Sequence, residues 1–437
     1  MLRRIAMASI ALVLLTPAAA AAHEPRASAS AWTASAQGAY PDGYTVGQPD
    51  LSTVLPGNQA QDQTLRMIVQ PNSAGSSWRV RLTNEYGTKP VTFRNAYAGL
   101  QSSGANLAPG TNRPLSFSGR RSVTVPAGRT VLSDPVSVRV TNAQSQRLAV
   151  SLHVSGASGP MTWHAASFTT SYLTGPNAGD HTPDVADLAY PYTTTSWFFL
   201  SEVLVQRRDT ATVVAFGDSI TDGFFSTING SDRWPDVLQR RLTASGSDLH
   251  VVTEAIGGNM VTRIGRTPGG CTPCDGPPAV DRLDRDVIQR PGVRVVILLE
   301  GINDLGGGGA TAEQVIAGYR EIIRRVHARG IKIVGATLTP SAGTEFGLYG
   351  TPETDAKRRA INDFIRTSGQ FDGVADFSAV TEDPANPGHL LPAYDTNSSV
   401  GGPGDHLHPN RAGFLAMAGA INLTQLERLA ARTGSLV

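Results

Sequence analysis

"VVAFGDSITDG", residues 213–223, opens on small and β-branched apolar residues and stops abruptly at Gly-Asp-Ser. An apolar run of this kind, closed by turn residues, reads as a strand buried on both faces. It belongs to ATVVAFG (211–217), the first of five such runs. LHVVTEAI (249–256), VRVVILLEG (293–301), IKIVGATLTP (331–340) and FDGVADFS (371–378) are the others. Between and after them, WPDVLQRRLTA (234–244), AVDRLDRDVIQ (279–289), TDAKRRAINDFIRTSG (354–369) and NRAGFLAMAGAINLTQLERLA (410–430) read as helices. The clearest helix starts at Thr311, an N-cap with Gln314 as capping-box partner. Val315, Ile316, Tyr319, Ile322, Ile323 and Val326 form its apolar stripe, and Gly330 ends it. Strands alternating with helices predict an α/β domain with a five-stranded parallel sheet covered on both faces. Ligands then gather at the C-terminal edges of the strands.

Upstream the texture differs. From Trp32 to Arg207, TLRMIVQ, SWRVRLTNEYG, VSVRVTN and RLAVSLHVSG alternate apolar and polar residues, with turn signals such as PNSAG and VPAGRT between them. This predicts an all-β domain, a sandwich of jelly-roll type, over 32–207, followed by the α/β domain over 208–437. Residues 23–31 read as a polar linker. Residues 1–22 carry Arg3 and Arg4, a short apolar run from Ile5 to Leu15 and alanines at 18–22, the pattern of a secretory signal peptide. Export is therefore expected. No later segment is apolar for long enough to insert stably in a membrane.

The chain has 437 residues, enough for two cores, and its formal net charge of +1 argues against a nucleic-acid partner. Cys271 and Cys274 are its two cysteines. A C-x-x-C pair suits a redox centre in a strand-to-helix turn or half of a zinc site, but GGCTPCDGPP is a loop with no second pair. It reads as a small disulfide pinning that loop.

Polar clusters fall at the strand ends. Ser219 follows the first strand, Gly257, Gly258 and Asn259 the second, Asn303 and Asp304 the third, and Asp405, His406 and His408 precede the last helix. Ser219 reads as a helix cap or as a nucleophile. It is not the G-x-S-x-G elbow, because Thr221 stands where the second glycine belongs. A nucleophilic serine needs a base and oxyanion donors. Among nine histidines, His408 stands out, because Asp405 three residues earlier can hold its Nδ1. His406 points elsewhere on this reading. D-H-x-H is alternatively a zinc ligand set. Gly258 and the Asn303 amide are candidate oxyanion donors, or a tight turn and a cap. Asp218, Asp222 and Glu300 read as scaffold, the two aspartates tying loop N–H groups. Gly306–Gly309 reads as a mobile rim or a wide turn. Trp163 and His164 read as core before sugar platform.

With FGDSITDG, AIGGNM, EGINDLG and DHLHP in this order, residues 209–430 resemble the SGNH (GDSL-type) hydrolase family. The resemblance implies a flavodoxin-like three-layer αβα fold and ester hydrolysis through an acyl-serine. It implies Ser219 as nucleophile, His408 as base and Asp405 as its orienting partner. The oxyanion hole is then the N–H groups of Ser219 and Gly258, with Gly257 adjacent, and the Asn303 side chain. No metal or organic cofactor is implied. The layout is similar to secreted carbohydrate-esterase-like members, whose substrates are small-molecule or polysaccharide acyl esters, acetyl foremost. A lipase, lysophospholipase or arylesterase and a non-catalytic carbohydrate-binding protein are the competing readings.

Overall fold

The computed structural model describes residues 28–207, 211–264 and 275–431. The expected leader and the Cys271–Cys274 pair lie outside the described residues.

The all-β half is built on β1 (Ser28–Thr33), β2 (Gln61–Val69), β3 (Gly75–Thr83), β4 (Val91–Ser103), β5 (Val136–Val140), β6 (Leu148–Ala157) and β7 (Leu200–Gln206). One antiparallel sheet runs β1-β7-β3-β5, and another carries β2, β6 and β4 at its centre. Alternate residues of both sheets meet in one core that includes Leu65, Met67, Trp78, Val80, Phe93 and Val150. The linker expected over 23–31 ends sooner than its composition suggested, since β1 begins at Ser28. Serine and alanine look like spacer there, yet Ala29, Ser30 and Ala31 are at most 1% exposed. Their small side chains let β1 lie between β7 and the other half of the chain, and the Ser30 hydroxyl donates to Glu202 on β7.

The α/β half holds β8 (Ala211–Gly217), β9 (Leu249–Ala255), β10 (Val293–Leu299), β11 (Lys332–Ala336) and β12 (Gly373–Ala375), all parallel in the order β9-β8-β10-β11-β12. The helices are α1 (Ser219–Asp222), α2 (Trp234–Ala244), α3 (Ala279–Leu283), α4 (Ile302–Gly306), α5 (Ala312–His327), α6 (Pro352–Thr367), α7 (Phe377–Thr381), α8 (Arg411–Gly419) and α9 (Leu423–Ala430). Two helical groups, α2 with α8 and α5 with α6, cover the sheet and give the three-layer αβα architecture. The capping box of Thr311 and Gln314 starts α5 as expected, and Val315, Tyr319, Ile322, Ile323 and Val326 are buried.

One helix and one strand differ from expectation. The helix read over 410–430 is two, because the Asn422 side chain accepts from Gln425 N and starts α9 after a break. The last strand stops at Ala375, because Asp376 caps α7.

The halves meet across a seam of buried charge. Arg282, Arg285 and Arg290 from the stretch around α3 face Glu85 and Glu202 of the all-β half and Glu254, Asp286 and Glu300 of their own. Ser35 donates to Glu254 at 2.7 Å, and Thr33 to the Thr253 carbonyl at 3.0 Å. Burial lifts Glu254 to about 7 against the pull of Arg290. Burial also acts to raise Asp286, but Arg285, Arg282 and Arg290 outweigh it and hold that carboxyl below the usual range.

Candidate active site

β8 delivers the serine. Its last residue is Gly217, Asp218 caps α1 by accepting from Ile220 N at 3.0 Å, and Ser219 is the first helical residue. A first-turn N–H has no acceptor within its own helix, so the Ser219 amide is available to an anion. Burial pushes the Asp218 carboxyl up to about 7, against its hydrogen bond from Ile220 and the nearby His408.

The imidazole comes from the loop before α8. Asp405 Oδ1 accepts from Leu407 N at 3.0 Å and from His408 N at 2.8 Å, and its Oδ2 accepts from His408 Nδ1 at 2.6 Å. Burial works to raise Asp405, but these hydrogen bonds outweigh it and hold the carboxyl below its ordinary value. With Nδ1 as the donor, Nε2 is left as the acceptor, and it lies 2.8 Å from Ser219 Oγ. Phe224 stacks on the His408 ring at 5.4 Å and Phe225 tilts against it at 5.6 Å. His406 turns away on a left-handed backbone (φ 60°), its Nδ1 and its N–H both facing Asp395. The two histidines of D-H-x-H therefore serve separate carboxylates, which does not fit a shared metal.

Asn303, on α4 after β10, has its amide orientation fixed from two sides. Tyr349 donates its hydroxyl to Asn303 Oδ1 at 2.8 Å, and Asn303 Nδ2 donates to the Asn259 carbonyl at 2.8 Å. One Nδ2 proton remains for another acceptor. Tyr349 comes this close because residue 306 is glycine, where a Cβ would lie 2.2 Å from the Tyr349 ring. The stretch after Gly306 is a hydrogen-bonded turn, with Gly307 N and Gly308 N donating to the Asn303 carbonyl. Asp304, pushed up to about 6 by burial, accepts from the N–H groups of Val261 and Thr262 and from the Thr262 hydroxyl. It thereby pins the segment that carries Gly258 and Asn259 against α4.

Three groups went unrecognised in the sequence, and a fourth was read there as core without its partner. Arg282, 2% exposed, donates to Asn259 Oδ1, to the carbonyls of Gly217 and Glu254, and to the carboxylates of Asp286 and Glu300. It ties the ends of β8 and β9 together and gives Glu300 the scaffold role expected of it. Tyr349 is the second and Tyr44 of the all-β half the third. The fourth is His164, whose Nε2 lies 3.2 Å from Asp222. Asp222 thus faces an imidazole of the other half rather than loop N–H groups. Burial pulls His164 down, but Asp222 and the carbonyls of Ser35 and Ala166 outweigh it and hold the imidazole above its usual value. Trp163 and His164 are both buried, as core residues.

Residues 215–416 match the GDSL-like Lipase/Acylhydrolase family. No curated protein matches the chain. Among solved structures it is similar to a carbohydrate acetylesterase family member from Sinorhizobium meliloti, at 19% identity over 51% of this chain and 100% of that one, with a TM-score of 0.38. It is similar to a GDSL-like lipase from Bacteroides thetaiotaomicron, at 17% identity over 50% of this chain and 88% of the other, with a TM-score of 0.36. It is also similar to an acetyl xylan esterase, at 20% identity over 48% and 96% of the two chains, with a TM-score of 0.34. By the family match alone, residues 215–416 are a serine ester hydrolase domain of the GDSL-like (SGNH) family.

Proposed function

We propose that this chain removes short acyl groups, acetyl foremost, from carbohydrate alcohols through an acyl-serine. The observation that carries the reading is the unbroken relay from Asp405 through His408 to Ser219, at 2.6 Å and 2.8 Å. His408 Nε2 takes the Ser219 proton as Oγ bonds to the ester carbonyl carbon. The carbonyl electrons move onto oxygen, and that oxyanion accepts hydrogen bonds from the N–H groups of Ser219 and Gly258 and from Asn303 Nδ2. The imidazolium, stabilised by Asp405, gives its proton to the departing alkoxide, leaving acyl-Ser219 and a free alcohol. Water, deprotonated by the same Nε2, then releases the carboxylic acid and restores Ser219.

Two features support the substrate class. The glycine turn is tightly enclosed: a Cβ on Gly257 would lie 2.8 Å from Phe224, and one on Gly258 2.8 Å from Tyr44. A turn so closely covered suits a short acyl group better than a long one. The leaving oxygen must face His408, and the neighbouring segment from Asp395 to Ser399 is polar, which suits a polyhydroxy alcohol. One observation favours the second reading, an aryl or lipid-like ester: Phe346 and Leu348, 52% and 54% exposed, stand on the loop that carries Tyr349.

A series of p-nitrophenyl esters from acetate to octanoate, with acetylated xylo-oligosaccharide alongside, tests both. Acetate is expected to be the fastest ester, and acetate release from the oligosaccharide is expected. Ser219→Ala is expected to lower kcat by roughly 10⁴-fold or more with the fold intact. Preference for octanoate selects the lipid-like reading, and equal rates in the two proteins remove Ser219 from the chemistry. Covalent labelling of Ser219 by a fluorophosphonate separates an esterase from a binding protein.

A further inference from the structure

The all-β half reaches into the site through residues 40–48. Both ends of that loop are clamped to its own half. Tyr40 N donates to the Met161 carbonyl at 2.8 Å and Trp163 Nε1 to the Asp42 carbonyl at 3.2 Å. Thr195 donates its hydroxyl to the Val46 carbonyl and its N–H to Gln48 Oε1, each at 2.7 Å. Between these anchors stands Tyr44, 48% exposed. Its ring edge lies 2.8 Å from the place a Cβ on Gly258 would take, and its own Cβ is 3.6 Å from the matching point on Gly257. The ring therefore rests on the turn whose N–H the proposed mechanism assigns to the oxyanion. Its hydroxyl is hydrogen-bonded to Asp275, whose Oδ1 also lies 2.8 Å from that point on Gly258.

Stereochemistry says which part of an ester meets this ring. The alkoxide must receive its proton from His408 Nε2, so the alcohol lies on the imidazole side. The acyl substituent takes the remaining bond of the tetrahedral carbon, diverging from both the imidazole and the oxyanion, and so runs beside the Gly258 and Asn303 donors, along their rim. Tyr349 stands on the Asn303 side of that rim, held by its bond to the amide. Tyr44 stands on the Gly258 side.

We propose that Tyr44 is the specificity-determining residue for acyl length: the all-β half supplies the end wall of the acyl subsite in the α/β half. This rests on the reading of Ser219 as an esterase nucleophile. The loop anchors set where the ring stands, the ring admits acetyl, and it meets the third and later carbons of a longer chain. The α/β half alone holds the reacting groups, but the complete chain sets their selectivity.

The test uses the full chain as wild type, Tyr44→Ala, Tyr44→Phe and Tyr44→Trp, with kcat/KM measured on p-nitrophenyl acetate, butyrate and hexanoate. Tyr44→Ala is expected to raise the hexanoate-to-acetate ratio roughly tenfold or more, the scale of a few methylenes gaining room in an apolar pocket. Tyr44→Phe keeps the ring and is expected to keep the wild-type ratio. Tyr44→Trp is expected to depress butyrate relative to acetate, and it carries the test should the alanine variant not fold. Ratios unchanged in both the alanine and tryptophan variants overturn the proposal, even where absolute rates fall, because a uniform fall assigns Tyr44 to support of the Gly258 backbone. A phenylalanine variant that shifts as far as the alanine variant also overturns it, by assigning the effect to the bond with Asp275. Failure of the underlying reading looks different: the wild type then prefers hexanoate, or Ser219→Ala retains full activity.

Discussion

The α/β half places the groups proposed to react at the ends of β8, β9 and β10 and in the loop before α8, held by short local bonds such as those of Asp405 to Leu407 and His408. Among the described residues, the all-β half contributes none of these proposed groups. It faces the junction with Ser35, His164, Glu202 and Tyr44, and the first three meet buried charge of the other half. The difference teaches that chemistry and support are carried by different parts of the chain. Changes among the reacting groups should lower turnover and spare stability, and changes in the seam should do the reverse.

The largest departure from that division is expected at Arg282, which lies in the α/β half yet donates to Ser35 Oγ at 3.3 Å. Arg282→Met leaves Asp286 and Glu300 buried without this cation, and breaking such a pair typically costs about 3–5 kcal/mol. Urea unfolding should show a loss of that size, and a loss under about 1 kcal/mol would mean the seam is not held by charge. Next comes Asn303→Ala, expected to lower kcat by roughly 10²–10³, or about 3–4 kcal/mol, with the melting temperature little changed. A near-wild-type kcat would take the amide out of the oxyanion hole.

Asp218 sharpens the comparison through pH. Its folded carboxyl is pushed up to about 7 by burial, so the protonated form is the one the fold favours. Its contribution to stability is fully present below the unfolded value near 3.9 and is lost as pH rises through 7. Asp218→Asn keeps an oxygen for Ile220 N and cannot ionise. The variant should exceed wild type in unfolding free energy by about 1–3 kcal/mol at pH 8, with the gap closing toward pH 4. A gap independent of pH would remove Asp218 as its source. The smallest effect is expected for Tyr349→Phe, which deletes one hydrogen bond to Asn303 and should lower kcat about fivefold, near 1 kcal/mol, with KM within about twofold. An equal change in KM alone would place Tyr349 in substrate binding instead.

The sequence carried the α/β half well, because each element announces itself locally. Apolar runs closed by glycine marked β8 to β10, the Thr311 cap and its stripe marked α5, and Ser219, Asn303, Asp405 and His408 sit within a few residues of an element end. The residues that escaped notice interact at long range. Ser35 and Glu254 are 219 positions apart, and no spacing rule connects them. Tyr44 lies in a turn with no motif, and Tyr349 in a loop whose neighbours Phe346 and Leu348 are exposed. The start of β1 was misread because Ser-Ala-Ser-Ala has the composition of a spacer, and its burial is decided by what packs on either side. The break before α9 was missed because the apolar period continues across Asn422 and only its capping bond shows the restart.

The pairing of β1 with β7 has a consequence for how the chain is made. Ser30 and Glu202, joined across those strands, are 172 residues apart. During synthesis the first strand to emerge has no neighbour until the seventh has been completed, and β9, against which Thr33 rests, arrives later still. Closure of such distant contacts is slow and leaves strand edges open meanwhile. Nascent chains ending short of Gln206 thus hold an unmatched edge, and the ribosome must pass that point before the amino-terminal half can finish folding.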